Sequence, residues 1–159
     1  MPSSTHTADP LNEYLTYLST HPNGEEIQYR TSFENFFNRS VPSHLAKRNI
    51  TAIQEDRHSG IDVEGTPDFF VYEDYGSLFK KLVGFIECKK PAYKLEKLIE
   101  SEQIKKYAKT CENIIITNYH RFILLQKGKV EHDVELSNEQ NKIQKFENLL
   151  RDFYSYDYP

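Results

Sequence analysis

Gly65-Thr66-Pro67-Asp68-Phe69-Phe70-Val71-Tyr72 and Leu82-Val83-Gly84-Phe85-Ile86-Glu87-Cys88-Lys89-Lys90 are the two runs whose reading decides the fold. Phe69–Tyr72 and Leu82–Cys88 are short, rich in aromatic and branched residues, and bounded by Gly, Pro and charged residues, as strands are. Glu73-Asp74-Tyr75-Gly76-Ser77 between them has the composition of a turn. Strand side chains alternate, so Val83, Phe85, Glu87 and Lys89 are expected on one face and Leu82, Gly84, Ile86 and Cys88 on the other. Both faces begin apolar, which predicts a central strand covered on both sides.

Acids stand where a core strand should carry none. Asp68 opens the first strand, and Glu87 lies at the end of the second with Lys89 two positions on. Charges at the end of a buried strand are costly unless they are paired or bound to a metal. One reading is therefore a buried ion pair, Glu87 with Lys89 or Asp68 with a lysine. In the other, antiparallel pairing brings Asp68 and Glu87 to one end of the sheet, where two carboxylates make a site for a hard, oxygen-seeking cation, Mg²⁺ first. Lys89 would then stand beside the metal, placed to hold a water or to steady a developing negative charge. The combination of Pro-Asp, a hairpin and Glu-x-Lys favours the metal site over the ion pair.

A length of 159 residues suits a single domain with a fair core. No run is apolar enough to span a membrane, and the N-terminus has no signal-peptide core. Cys88 and Cys111 are the only cysteines and have no metal spacing, so a reducing cytoplasm without disulfides is expected, with Cys88 as a small buried residue. The net charge of −4 argues against a protein that coats nucleic acid. The charge is uneven, however: Lys80–Lys109 holds nine lysines against four glutamates. That surplus surrounds the proposed metal site. It reads equally as a solvated face or as a phosphate-contacting one.

Taken in order, residues 1–8 are polar and expected to be loose. Asp9-Pro10 starts a helix whose face is Leu11, Tyr14, Leu15 and Leu18. A second helix spans roughly Glu25–Asn38 and carries Glu34 among aromatics. Glu34 either pairs with Arg30 one turn before or completes the acidic cluster, directly or through a water. Pro42 closes that helix, and a short turn over Ser43–Arg48 is possible. Asn49–Glu55 reads as the first strand, Asp56–Gly60 as a turn with His58 as a loop residue, and Ile61–Glu64 as an extended link. After the two central strands, Lys94–Thr110 has helical spacing and carries Gln103 and Tyr107 one turn apart. Asn113–Asn118 and Arg121–Gln126 are strands joined by a turn at Tyr119-His120, and Val130–Leu136 is a possible edge strand. Ser137 caps a final helix from Glu139 to about Phe153. The core is expected over about 25–136, with the Tyr-rich segment 152–159 as a linker. This order predicts an α/β (α+β) domain with a mixed central sheet of about five strands flanked by helices.

Pro67-Asp68 and Glu87-Cys88-Lys89 on consecutive strands resemble the PD-(D/E)xK nuclease superfamily, and the element order is similar to its restriction-endonuclease-like core. Y-R-T-S-F-E-N-F-F-N, G-T-P-D-F, G-F-I-E-C-K-K-P, E-Q-I-K-K-Y and N-I-I-I-T-N-Y-H-R-F-I-L-L narrow it. Together they resemble the N-terminal nuclease domain of type IIG and type ISP restriction–modification enzymes. In those, one chain also carries an adenine-specific DNA methyltransferase and sometimes a translocase. The resemblance implies Asp68 and Glu87 as metal-binding carboxylates, joined by the Cys88 carbonyl and by Glu34, and Lys89 as the catalytic lysine. It further implies Gln103 and Tyr107 as an element that approaches DNA, with Gln103 among the catalytic residues; Lys90, Lys94 and Lys106 from the lysine surplus are expected beside Tyr107 as DNA contacts. The implied cofactor is Mg²⁺, with Mn²⁺ as a substitute, the implied partners are DNA and methyltransferase or specificity domains, and the implied location is a prokaryotic cytoplasm. The alternatives are a repair or recombination nuclease or junction resolvase with the same site, and a DNA-binding module without chemistry. A small-molecule enzyme is disfavoured by the missing glycine-rich loop and nucleophile motif.

Overall fold

The computed structural model describes residues 9–22, 26–40, 48–54 and 66–156. The expectations for residues 1–8, for Pro42 and the turn after it up to residue 47, and for residues 55–65 with His58 lie outside the described residues. So do those for 157–159.

Among the described residues, six strands form one sheet in sequence order. They are β1 (Ile50–Gln54), β2 (Phe69–Glu73), β3 (Lys81–Cys88), β4 (Asn113–Thr117), β5 (Arg121–Gln126) and β6 (Lys129–Glu135). Only β3 and β4 pair in parallel; the other neighbours are antiparallel. A parallel pair cannot be closed by a hairpin, and the chain crosses from β3 to β4 over two short helices, α3 (Glu96–Ile99) and α4 (Glu102–Ala108). The mixed sheet flanked by helices is the expected class, and the possible edge strand is its sixth member.

Aromatic spacing decides which helix covers which face. Along α2 (Glu26–Arg39), Tyr29, Phe33, Phe36 and Phe37 recur on one side and are buried. They pack with Tyr14 and Leu18 of α1 (Pro10–Thr20), with Leu149, Phe153 and Tyr154 of α5 (Gln140–Tyr154), and with Ile86, Cys88, Ile115 and Phe122 of the sheet. The opposite face, bearing Phe70, Tyr72, Phe85, Ile114, Ile116 and Ile123, lies under Leu95, Leu98, Ile104 and Tyr107 of the crossover. Asp9 caps α1 through Leu11 N–H at 3.0 Å with Pro10 in first position, as its sequence predicts.

Three local expectations are corrected. Strict alternation fails in β3: the pairing with β2 slips between Val71 and Tyr72, so Val83 joins Ile86 on the α2 side and Leu82 joins Phe85 on the other. A bulge shifts the alternation by one residue, and the phase is regular again from Gly84 to the site end. The single helix over Lys94–Thr110 is two, because Ser101 accepts Ile104 N–H at 3.2 Å and starts a new helix there. The core does not stop at residue 136, and residues 152–154 are not a linker. Phe153 and Tyr154 are fully buried in the last turn of α5.

Phe153 also explains Gly84. A Cβ at position 84 would lie 2.4 Å from the Asn113 carbonyl oxygen and 2.6 Å from the Phe153 ring. The glycine is the seat on which the end of α5 rests. Buried Asn113 completes that seat, its amide donating to the carbonyls of Val83 at 2.9 Å and Phe153 at 2.8 Å while its oxygen accepts from Gln126 at 2.9 Å.

Candidate functional site

Antiparallel pairing matches Phe69 with Ile86, so the next pair outward sets Asp68 opposite Glu87. Both are buried, at 7% and 4% exposure. Like charges directly opposite on a sheet repel. Burial first and the Asp68 charge second push the Glu87 carboxyl up to about 7, against the pull of Lys89 and the Tyr107 hydrogen bond.

Each carboxylate has its own set of donors. Asp68 Oδ2 accepts the Cys88 N–H at 2.7 Å, and Oδ1 is 2.7 Å from Nη2 of Arg30 on α2. Glu87 Oε2 accepts from Gln103 Nε2 at 3.0 Å and lies 3.5 Å from Lys89 Nζ. The Tyr107 hydroxyl is 3.2 Å from Glu87 Oε1 and 3.2 Å from the Thr66 carbonyl oxygen, and it accepts from Gln103 Nε2 at 2.9 Å. Burial and the Glu87 charge raise the Tyr107 phenol well above its usual range, so it remains a proton donor. Gln103 Oε1 in turn accepts from Lys89 Nζ at 3.3 Å. Gln103 is thus the hub that ties Lys89, Glu87 and Tyr107 together, which the new register of α4 after Ser101 makes possible.

Lys89 is held from behind as well. Its N–H donates to the Thr117 carbonyl at 2.8 Å, extending the parallel pairing past the end of β3. Asn118 then ties the following turn, donating to the Pro91 carbonyl at 3.1 Å. Tyr93 in that turn places its ring 5.6 Å from Lys89 Nζ, a cation–π distance. Arg30, Asp68, Glu87, Cys88, Lys89, Lys90 and Tyr93 line a cavity of about 280 Å³ at this end of the sheet. A larger cavity, of about 470 Å³ between α1, α2 and α5, lies elsewhere. It lacks this chemistry.

The structure therefore brings Asp68, Glu87, Lys89 and Gln103 together, with the Cys88 backbone between the carboxylates. It does not bring Glu34 to the cavity. The Gln54 amide donates to Glu34 at 3.3 Å, and it is Arg30, one turn earlier on α2, that reaches Asp68. Nor is Tyr107 a surface for DNA: at 1% exposure it lies beneath Glu87 and orients it. Lys90, Lys94 and Lys106 are exposed, as phosphate contacts must be. Arg30, Tyr93 and Asn118 are the contributors that sequence reasoning missed. Arg30 carried a signal, a basic residue on the aromatic face of a helix, but its i+4 neighbour Glu34 offered a nearer explanation.

Two opposed carboxylates beside an open cavity are a donor set for a hard divalent cation. Among the described residues, no cluster of three or more His, Cys, Asp or Glu side chains forms, so the side-chain ligands offered here are Asp68 and Glu87. Also among the described residues, no helix is long and apolar enough to cross a membrane.

No family model matches the chain, and no curated protein matches it. Among solved structures, it is similar to a chain in the cryo-EM structure of a DrdV–DNA complex. The TM-score is 0.65 at 18% identity, over 94% of this chain and 96% of that one. At that identity the likeness is one of fold: the two chains share an architecture along nearly their whole lengths.

Proposed function

We propose that this domain is a metal-dependent DNA endonuclease, the cleavage part of a restriction–modification system, with Mg²⁺ held by Asp68, Glu87 and the Cys88 carbonyl. One observation carries the reading. Two buried carboxylates, Asp68 and Glu87, line one cavity with Lys89 and Lys90 at the end of β2 and β3, where burial first and the Asp68 charge second lift Glu87 to about 7. A perturbed carboxylate in a cleft marks a candidate functional site, and two of them together suit a divalent cation. Mg²⁺ or Mn²⁺, when bound, supplies positive charge against the scissile phosphate and the leaving oxygen. The remaining work falls to the chain. Lys89, fixed by Gln103 and Tyr93, orients the attacking water and steadies charge on the phosphate. Gln103 and Tyr107 hold Glu87 in place, and Lys90, Lys94 and Lys106 meet the DNA backbone.

Support for DNA as substrate comes from the lysine surplus around the site and from the fold neighbour, which was determined with DNA. The overall negative charge supports a division of labour in which methyltransferase or specificity domains supply most of the DNA affinity. A second reading, a DNA-binding module without chemistry, draws on Asp68 already having the guanidinium of Arg30 as counter-ion. Nicking of supercoiled plasmid in Mg²⁺, Mn²⁺ and chelator separates the two. Cutting that needs metal and disappears in both Asp68→Ala and Lys89→Ala is expected. DNA binding that is indifferent to Mg²⁺ and to Asp68→Ala would leave the binding module as the answer.

A further inference from the structure

Arg30 is not among the residues expected to form the site, yet it makes the tightest charged contact in it. Tyr29 and Phe33 anchor its stretch of α2 in the core, and the guanidinium reaches past the end of the sheet to Asp68 Oδ1 at 2.7 Å. The Lys89–Glu87 contact beside it is looser, at 3.5 Å. A divalent cation on Asp68 needs the same carboxylate charge that Arg30 now neutralises. Charge-assisted hydrogen bonds of this length are among the strong ones, and a partly buried pair is little weakened by solvent.

We propose that Arg30 is the counter-ion that holds Asp68 in the metal-free state and lowers the affinity of the site for a divalent cation. The inference rests on the nuclease reading above. It makes Arg30 a positioning residue whose removal strengthens metal binding, the opposite of what loss of a merely supporting contact does. Fully neutralised, Asp68 offers a metal little; relieved of the guanidinium, it offers a full negative charge opposite Glu87.

The test is calorimetric titration of the chain with Mn²⁺ in the absence of DNA, for wild type, Arg30→Gln, Arg30→Met and Asp68→Asn, each first shown to unfold cooperatively on heating. Arg30→Gln is expected to bind Mn²⁺ about tenfold or more tightly than wild type, the equivalent of one charge-assisted hydrogen bond. Arg30→Met, which keeps the apolar stem, is expected to do the same and decides the matter if the glutamine variant does not fold. Equal or weaker binding in a folded neutral variant overturns the proposal while the metal site stands. Absence of any heat that depends on Asp68, in all four proteins, overturns the nuclease reading and the proposal with it.

Discussion

Replacing Glu87 by glutamine should stabilise the domain while removing the proposed cleavage activity. The side chain keeps its shape, and its surroundings can serve an amide: its oxygen can accept from Gln103 Nε2, and its nitrogen can donate to the Tyr107 hydroxyl, which has the Thr66 carbonyl as a second acceptor at 3.2 Å. What disappears is a buried negative charge facing Asp68. In the folded protein Glu87 titrates near 7, against 4.5 for an ordinary glutamate. A raised carboxyl pKa means that the folded state holds its proton longer than the unfolded one. Wild-type stability is therefore greatest below the unfolded value and is lost as the pH rises from about 4.5 to about 7. At about 1.4 kcal/mol per pKa unit the loss reaches about 3 kcal/mol. The glutamine variant lacks this loss. In urea denaturation with chelator its advantage over wild type should be small near pH 5, grow through pH 6 and 7, and level off above. At pH 8 the ceiling corresponds to roughly 6–12 °C in Tm for a chain of this size. Added Mg²⁺ should raise the Tm of wild type and leave the variant unmoved. An advantage that is constant with pH, or that shrinks as pH rises, would refute the argument, because no buried carboxylate would then be titrating.

Gly84→Ala should cost about 3 kcal/mol, since a methyl group there meets the Asn113 carbonyl and the Phe153 ring. Equilibrium denaturation checks it, and a variant as stable as wild type would mean that α5 does not rest on β3. Asn113→Leu should cost a further order of about 2–4 kcal/mol, because the carbonyls of Val83 and Phe153 and the amide of Gln126 lose a partner together. Its measure is the same denaturation, read beside hydrogen exchange at the ends of α5 and β3. Cys88 and Cys111 are buried thiols that form no disulfide, and burial, followed by the Asp68 and Glu87 charges, raises the Cys88 thiol well above its usual range. Neither should react with a thiol reagent until the chain unfolds; rapid labelling of native protein would contradict that burial.

The two central strands and their acids were legible because their cause is local. Asp68, Glu87 and Lys89 are set by strand alternation over a few residues, and the pairing of β2 with β3 does the rest. Gln103 was legible as a position on a helix, but its role depended on Ser101 restarting that helix in a new register. Val83 was misplaced because a bulge in β3 is a property of the pair of strands and leaves no mark in either alone. Arg30 and Glu34 are one turn apart, and spacing treats them alike. Only the approach of α2 to the end of the sheet decides which one touches the site. Phe153 and Tyr154 were misread because Tyr-rich polar sequence at a chain end has linker composition, whereas their burial depends on a glycine nearly seventy positions earlier.

That glycine has a consequence for how the chain acquires its fold during synthesis. The hairpin bearing Asp68 and Glu87 leaves the ribosome early, but β3 must wait for its parallel neighbour β4 and then for the end of α5 before its Gly84 side is covered. Two further ties close over longer spans, the Tyr14 hydroxyl to the Tyr119 carbonyl and the Arg48 guanidinium to the Tyr154 carbonyl. At about 5–20 residues per second, the centre of the sheet stays uncovered for several seconds after its acids have been made. Closure awaits the final helical turn, so the strands that carry the two acids are among the last to be sealed.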